Sequence, residues 1–143
     1  DNYIPGLFFT AQSDASVAQA LGFNGGPRVD IAIHNAIGVQ ASTIGNHEFD
    51  RGTATFASAI APAGAYEGTL FPYLSANLDF SGDSSLNPLF TETLDGDLEK
   101  ASDLSGRIVP SAVIEENGEL IGLVGATTQV LSTLTSLGGV KVK

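Results

Sequence analysis

Apolar residues recur at helical spacing in three segments of the first half of the chain. Asp14 and the preceding serine can cap the first of these helices, which we expect to end at Gly22 or shortly after it. Pro27 suits the first turn of the second helix, which is predicted to stop at Gly38. Thr53 is the predicted N-cap of the third, which ends before residue 62, a proline. Residues 1–10 are predicted to be a loop followed by an apolar stretch.

Two short apolar runs, residues 39–44 and 71–78, are bounded by turn residues and predict buried strands. Apolar and polar side chains alternate in residues 107–115, and residues 120–126 are a run of apolar residues that favour strands. The Asn-Gly pair between the two segments predicts a β-hairpin. The polar segment 79–106 is predicted to be a long loop. Helices alternating with strands, followed by a hairpin, predict an α/β fold with a mixed sheet.

Composition narrows the class of protein. The 143 residues are enough for one domain or a large piece of one. Hydrophobic residues make up 43% of the chain, which is enough to form a core. The net charge of −10 and the scattered basic residues argue against binding to a nucleic-acid polymer. Because there is no cysteine, disulfides and thiolate metal sites are excluded. No apolar run approaches the ~18 residues of a membrane helix.

Candidate chemistry concentrates in the loop Gly45–Asp50, which holds an amide, an imidazole and two carboxylates. The loop follows a predicted strand, and open α/β sheets bind ligands beyond the carboxyl ends of their strands. Asp50 can orient the ring of His47 through a hydrogen bond. The alternative is a polar turn whose Asn and Asp side chains cap a helix. The other histidine, His34, lies within a predicted helix and is expected to be a packing or surface residue.

A second cluster of acidic residues lies in the long loop, at Asp95, Asp97, Glu99 and Asp103. Closely spaced carboxylates suit Ca²⁺, but the segment lacks the glycine and glutamate positions of an EF-hand loop. A solvated acidic surface is the favoured interpretation.

Gly45-Asn46-His47-Glu48-Phe49-Asp50 resembles the GNHEFD signature of calcineurin-like metallophosphoesterases, in particular of their 5′-nucleotidase-like branch. Residues 35–38 resemble the N-x-x-G stretch that precedes this signature, and residues 71–77 resemble the FP-x-LSAN strand that follows it. Residues 107–128 resemble the next hairpin of the family, and Asp1-Asn2 is similar to the second half of a GD motif. The resemblance extends over nearly the whole chain.

This resemblance implies a four-layer αββα sandwich of two mixed sheets and a site with two divalent metal ions. It implies that Asp1 bridges the ions and that Asn46 binds one of them through its side-chain oxygen. It gives His47 the role of stabilising the phosphoryl group or protonating the leaving oxygen, with Asp50 orienting it. Glu48 is expected to make hydrogen bonds within the loop. Zn, Mn, Fe, Mg and Ca all fit such oxygen and imidazole ligands.

The family pattern also contains an Asp-x-His pair before the GD motif and histidines after the hairpin, and neither is present here. Residues 1–143 are therefore expected to be the central part of one metallophosphoesterase domain, inactive in isolation. The parent enzyme is expected to hydrolyse nucleotides or phosphomonoesters in an extracellular or periplasmic location. The alternative is a non-catalytic binding or structural domain that retains the GNHEFD loop.

Overall fold

A parallel sheet lies at the centre of the fold in the computed structural model, which describes residues 1–92 and 99–143. Its strands are β1 (Ser42–Thr43), β2 (Tyr73–Leu74) and β4 (Ile108–Val109), in that order. Ser42 pairs with Tyr73, which in turn pairs with Ile108. The other strands form antiparallel pairs: β3 (Leu78–Asp79) with β7 (Lys141–Val142), and β5 (Ser111–Glu116) with β6 (Glu119–Val124). The predicted α/β class is confirmed, and in the described residues the parallel and antiparallel strands lie in separate sheets.

The three predicted helices are present as α2 (Ala15–Leu21), α3 (Pro27–Ala36) and α4 (Thr53–Ile60). Asp14 caps α2 as predicted, since its carboxylate accepts a hydrogen bond from the backbone nitrogen of Ser16 at 2.8 Å. The predicted cap at Thr53 is wrong: Gly52 is the N-cap, and the hydroxyl of Thr53 donates to Asp83 instead. Short helices α1 (Leu7–Ala11) and α5 (Leu131–Leu134) were not predicted.

The predicted strands are shorter in the structure, and two of them are divided. Residues 71–78 contain β2 and the start of β3, because Asn77 between them turns its side-chain amide onto the backbone of Thr127, with both hydrogen bonds at 2.9 Å. Residues 107–115 contain β4 and part of β5, which are separated by Pro110 and pair with different partners. Proline has no backbone N–H to donate, so it marks the change of sheet.

Alternate side chains of the parallel strands point to opposite faces of the sheet, as the pleat requires. Tyr73 and Ile108 contribute to a large core shared with α3 and α4, whereas Leu74 and Val109 face Leu104 and β5. In the large core, the rings of Phe56 and Tyr73 meet edge to face with centroids 4.9 Å apart. The sheet is thus covered on both faces, so a ligand can reach it only at the ends of its strands.

A buried carboxylate, Asp83, ties three segments together beside this core. It accepts hydrogen bonds from the backbone nitrogens of Leu86, Ser85 and Gly139 at 2.9, 3.0 and 3.2 Å. Burial alone would raise the pKa of Asp83, but these bonds and the one from Thr53 hold it below its usual value.

No helix in residues 1–92 or 99–143 has the length and apolar character needed to cross a bilayer.

Candidate functional site

The candidate site is the loop that leaves the carboxyl end of β1. Ile44 and Phe49 are both 1% exposed, and they anchor the two ends of the loop in the large core. Between them, residues 47–49 form a 3₁₀ turn, in which the backbone nitrogen of Phe49 donates to the carbonyl of Asn46 at 3.1 Å. The anchored apolar residues leave Asn46 and His47 partly exposed at the sheet edge, where a ligand can reach them.

His47 and Asp50 form the hydrogen-bonded pair that the sequence predicted. Nδ1 of His47 lies 2.5 Å from Oδ2 of Asp50. A carboxylate accepts hydrogen bonds, so Nδ1 carries the hydrogen and Nε2 is left to give or take a proton. The other oxygen of Asp50 accepts a hydrogen bond from the hydroxyl of Thr135 at 3.2 Å. Asp50 is therefore held from a second side by a residue far along the chain.

Asp1 lies directly against the same loop. Its Oδ1 accepts a hydrogen bond at 3.1 Å from the backbone nitrogen of His47, which belongs to the peptide joining Asn46 to His47. The carboxylate rests on Gly45, where an added Cβ would come within 2.0 Å of Oδ1. A glycine is thus required at position 45 for Asp1 to occupy this place. The structure brings together all four predicted site residues: Asp1, Asn46, His47 and Asp50.

Glu48 lies on the inner side of the loop and is fully buried, unlike its neighbour His47. Its two carboxylate oxygens accept hydrogen bonds from the backbone nitrogens of Asn2 and Gly45, at 2.5 and 2.7 Å. Its own carbonyl accepts the hydroxyl of Tyr3 at 2.8 Å. Burial raises the pKa of the Tyr3 phenol, and the negative charge of Glu48 adds to that increase, so the phenol stays a donor. The expected loop hydrogen bonding of Glu48 is confirmed.

The oxygen donors of Asp1 and Asn46 are of the kind that hard or borderline divalent cations accept. They fit as part of a metal site, because the Asp1 carboxylate is cradled beside the Asn46 peptide and the Asn46 side chain is only partly buried. Across residues 1–92 and 99–143, however, no group of three or more Asp, Glu, His or Cys side chains is arranged to hold a metal ion. The assignment of Asp1 and Asn46 as metal ligands therefore stays a prediction, and within these residues they would make up only a portion of a ligand set.

Two other residues from the sequence analysis, His34 and Asn35, do not join the site. Nδ1 of His34 donates to the carbonyl of Asp30 at 2.6 Å, within α3, so His34 is a packing residue as expected. The side chain of Asn35 is also structural, since it bonds to the backbone of Gly68 and Leu70 at 2.8 and 3.0 Å. Of the acidic cluster, Asp95 and Asp97 lie outside the residues that the structure describes.

Sequence reasoning missed Thr135 and Tyr3. Thr135 is 85 positions from Asp50 and lies in a segment with no recognised motif. Tyr3 is 45 positions from Glu48 and lies in a segment for which the sequence predicts only a loop and an apolar stretch. Only the tertiary fold brings either residue to the site, so no local signal identifies them.

Comparison with known proteins gives a consistent set of relatives, although no protein-family model matches the chain. The chain is 35% identical over 103 residues to the 5′-nucleotidase of Diplobatis ommata, a match that covers 72% of this chain and 14% of that protein. It is 30% identical over 121 residues to the trifunctional nucleotide phosphoesterase YfkN of Bacillus subtilis, covering 76% of this chain and 8% of that protein. The chain therefore spans a small part of the length of the curated relatives it matches.

Among solved structures, the chain is similar to the 5′-nucleotidase precursor of Thermus thermophilus. The TM-score is 0.56 with 26% sequence identity, and the match covers 80% of this chain and 18% of that one. The arrangement of a parallel sheet with helices is thus shared with a solved structure that, like the relative from Diplobatis ommata, is named as a 5′-nucleotidase.

Proposed function

We propose, from the premise that this chain belongs to the 5′-nucleotidase-like metallophosphoesterases, that the full-length protein hydrolyses phosphate esters. The observation that carries the proposal is the His47–Asp50 pair, which lies beside Asp1 and Asn46 at the carboxyl edge of the parallel sheet. A histidine oriented in this way, next to oxygen donors for cations, suits hydrolysis at phosphorus better than simple binding.

His47 is the residue that we propose handles the proton or the developing charge. Its Nδ1 is occupied by Asp50, so Nε2 is the ring atom available to the leaving oxygen or to a phosphoryl oxygen. Asp50 does not touch the substrate in this scheme. It fixes the ring, and Thr135 in turn fixes one oxygen of Asp50.

Asp1 and Asn46 would hold two divalent cations together with ligands from other parts of the full-length protein. Such ions, when bound, neutralise phosphate charge and activate a water molecule for in-line attack. The net charge of −10 disfavours the approach of a phosphate anion, so bound cations would help the protein to bind its substrate. The metal can be Zn, Mn, Fe, Mg or Ca, all of which accept these oxygen donors.

The proposed substrates are nucleotides or simple phosphomonoesters, by analogy with relatives named 5′-nucleotidase and nucleotide phosphoesterase. The acidic composition argues against a nucleic-acid polymer as the substrate. The alternative of a non-catalytic domain gains no support from relatives that are named as hydrolases. An extracellular or periplasmic location belongs to the same proposal and is supported by the acidic, cysteine-free composition.

The test is a phosphate-release assay on the full-length protein with nucleoside monophosphates and a chromogenic phosphomonoester. It is run after chelation and again after addition of Zn²⁺, Mn²⁺, Mg²⁺ or Ca²⁺. We expect metal-dependent turnover, and expect the 143-residue chain alone to be inactive because it supplies only Asp1 and Asn46 as ligand residues. Absence of turnover with every metal, from a folded full-length protein, would contradict the proposed function.

Two variants separate the proposed roles. His47→Ala should lower turnover by about 10²–10⁴ and leave the metal content unchanged, because a proton donor or electrostatic group acts on the rate. Asn46→Ala should do the reverse and lower the metal content, because it removes a proposed ligand of one ion. Elemental analysis of both purified variants checks the assignment, and loss of an ion from His47→Ala would reverse it.

A further inference from the structure

Glu48 contacts both of the segments that make up the candidate site. It joins the segment that carries Asp1 to the loop that carries Asn46, through hydrogen bonds to the backbone nitrogens of Asn2 and Gly45. Each of these backbone nitrogens belongs to a residue next to a candidate metal ligand. The two segments are 46 positions apart in the chain, so their relative placement depends on contacts such as these.

The geometry requires a carboxylate at position 48. Both side-chain oxygens are acceptors, and each faces a backbone N–H. Glutamine has almost the same shape, but one of its two polar atoms is a donor, which would then face a donor. Since the side chain is fully buried, water cannot relieve that mismatch. Aspartate would keep both acceptors but is one methylene too short to reach both partners.

We propose that Glu48 is a positioning residue, which sets the distance between Asp1 and Asn46 and thereby the affinity of the site for divalent cations. This inference rests on the proposed function, because it takes these two residues as metal ligands. Glu48 acts without touching the metal or the substrate, through the backbone on either side of it. Tyr3 supports it from behind, with a hydrogen bond to the Glu48 carbonyl.

The experiment measures Mn²⁺ binding by equilibrium dialysis, alongside the melting temperature, for the full-length protein and its Glu48→Gln variant. Residues that orient metal ligands typically change metal affinity by about 10–100-fold when they are altered. We expect a weakening of Mn²⁺ binding in that range. Tyr3→Phe, which removes only the supporting bond, should give a smaller weakening in the same direction.

The matched control is Asp83→Asn. Asp83 is also a buried carboxylate that accepts backbone N–H groups from separate segments, but its hydrogen bonds go to Leu86, Ser85 and Gly139, outside the candidate site. This variant should lower the melting temperature and leave Mn²⁺ binding within experimental error of the unmodified protein. The comparison separates positioning of ligands from general stability.

A lowered melting temperature with unchanged Mn²⁺ binding in Glu48→Gln would overturn the inference and leave Glu48 with a purely structural role. If that variant does not fold, Glu48→Asp takes its place, and unchanged Mn²⁺ binding by it would overturn the inference equally. Absence of Mn²⁺ binding and of turnover in the unmodified protein would instead contradict the proposed function on which the inference depends.

Discussion

Substitution of Asp50 by asparagine tests whether His47 and Asp50 work as a unit. The carboxylate accepts the Nδ1 hydrogen of His47 at 2.5 Å and so leaves Nε2 as the ring nitrogen that we propose acts on the substrate. Asparagine keeps the size of the side chain, but it can present either an oxygen or an NH₂ group to the ring. When the NH₂ group faces Nδ1, the hydrogen moves to Nε2 and the ring is presented in the other tautomer.

The expected loss follows from what the histidine contributes. A positioned proton donor or acceptor contributes about 10²–10⁴ to a rate, or roughly 3–5 kcal/mol of barrier. The His47 side chain is 33% exposed, so water screens part of its interaction with Asp50. We therefore place the Asp50→Asn effect in the lower part of that range, at about 10²–10³ in kcat.

The assay is a double-mutant cycle on the full-length protein at saturating metal, with kcat measured for Asp50→Asn, His47→Ala and the double variant. If Asp50 acts only through His47, as we propose, the double variant should be no slower than His47→Ala alone. Thr135→Val is the control: it removes the 3.2 Å bond to the other oxygen and leaves the bond to His47, so its effect should be much smaller.

Multiplicative losses in the double variant would refute this reasoning, since they would mean that Asp50 acts on the substrate or the metal by itself. A metal content that falls in Asp50→Asn would point to the same conclusion.

Three further predictions concern the loop, the hairpin and pH. Gly45→Ala should displace the Asp1 carboxylate and lower the bound metal measured by elemental analysis, with little change in melting temperature, because the new Cβ would lie 2.0 Å from Oδ1. Gly118→Ala should cost about 1–2 kcal/mol in chemical denaturation, because Gly118 has a φ of 83°, whereas Asn117→Gly should be nearly neutral. The folded-state pKa of Asp83 lies below its usual value of 3.8, so its contribution to stability is present above that pH and is lost as the pH falls through the folded pKa. The free energy of unfolding of the unmodified protein and of Asp83→Asn can be followed by denaturation from about pH 6 to about pH 3. The difference between the two should shrink on acidification.

The elements that the sequence predicted well are those whose signals are local. Asp14 caps α2 with a bond to a residue two positions away, and Pro27 opens α3. Asn117 and Gly118 both have positive φ, as a tight hairpin turn between β5 and β6 requires. Each of these features depends on the chemistry of a few neighbouring residues, so no knowledge of the tertiary structure was needed.

The features that were missed depend on residues distant in the sequence. The apolar runs indicated where strands lie, but their pairing partners decided that β2 and β4 extend over only two residues each. Thr53 has the chemistry of an N-cap, but its hydroxyl bonds to Asp83 instead. Three site residues came from a six-residue signature, and Asp1 came from its similarity to half of a GD motif. Thr135, the partner of Asp50 at the C-terminal end of α5, has no signature of its own.

The separation of the two segments joined by Glu48 has a consequence for the order of folding. Strands β5 and β6 are connected by a tight turn, and such hairpins form in about 1–10 μs. Bringing Asn2 to Glu48 closes a stretch of 46 positions, and the parallel pairing of β1 with β2 is similarly non-local, so these steps carry a larger entropic cost and come later. We expect a refolding chain to have its hairpin before Asp1 reaches the loop. A metal ion at the proposed site would then bind only after these two segments have come together, and so only to chains that are already folded.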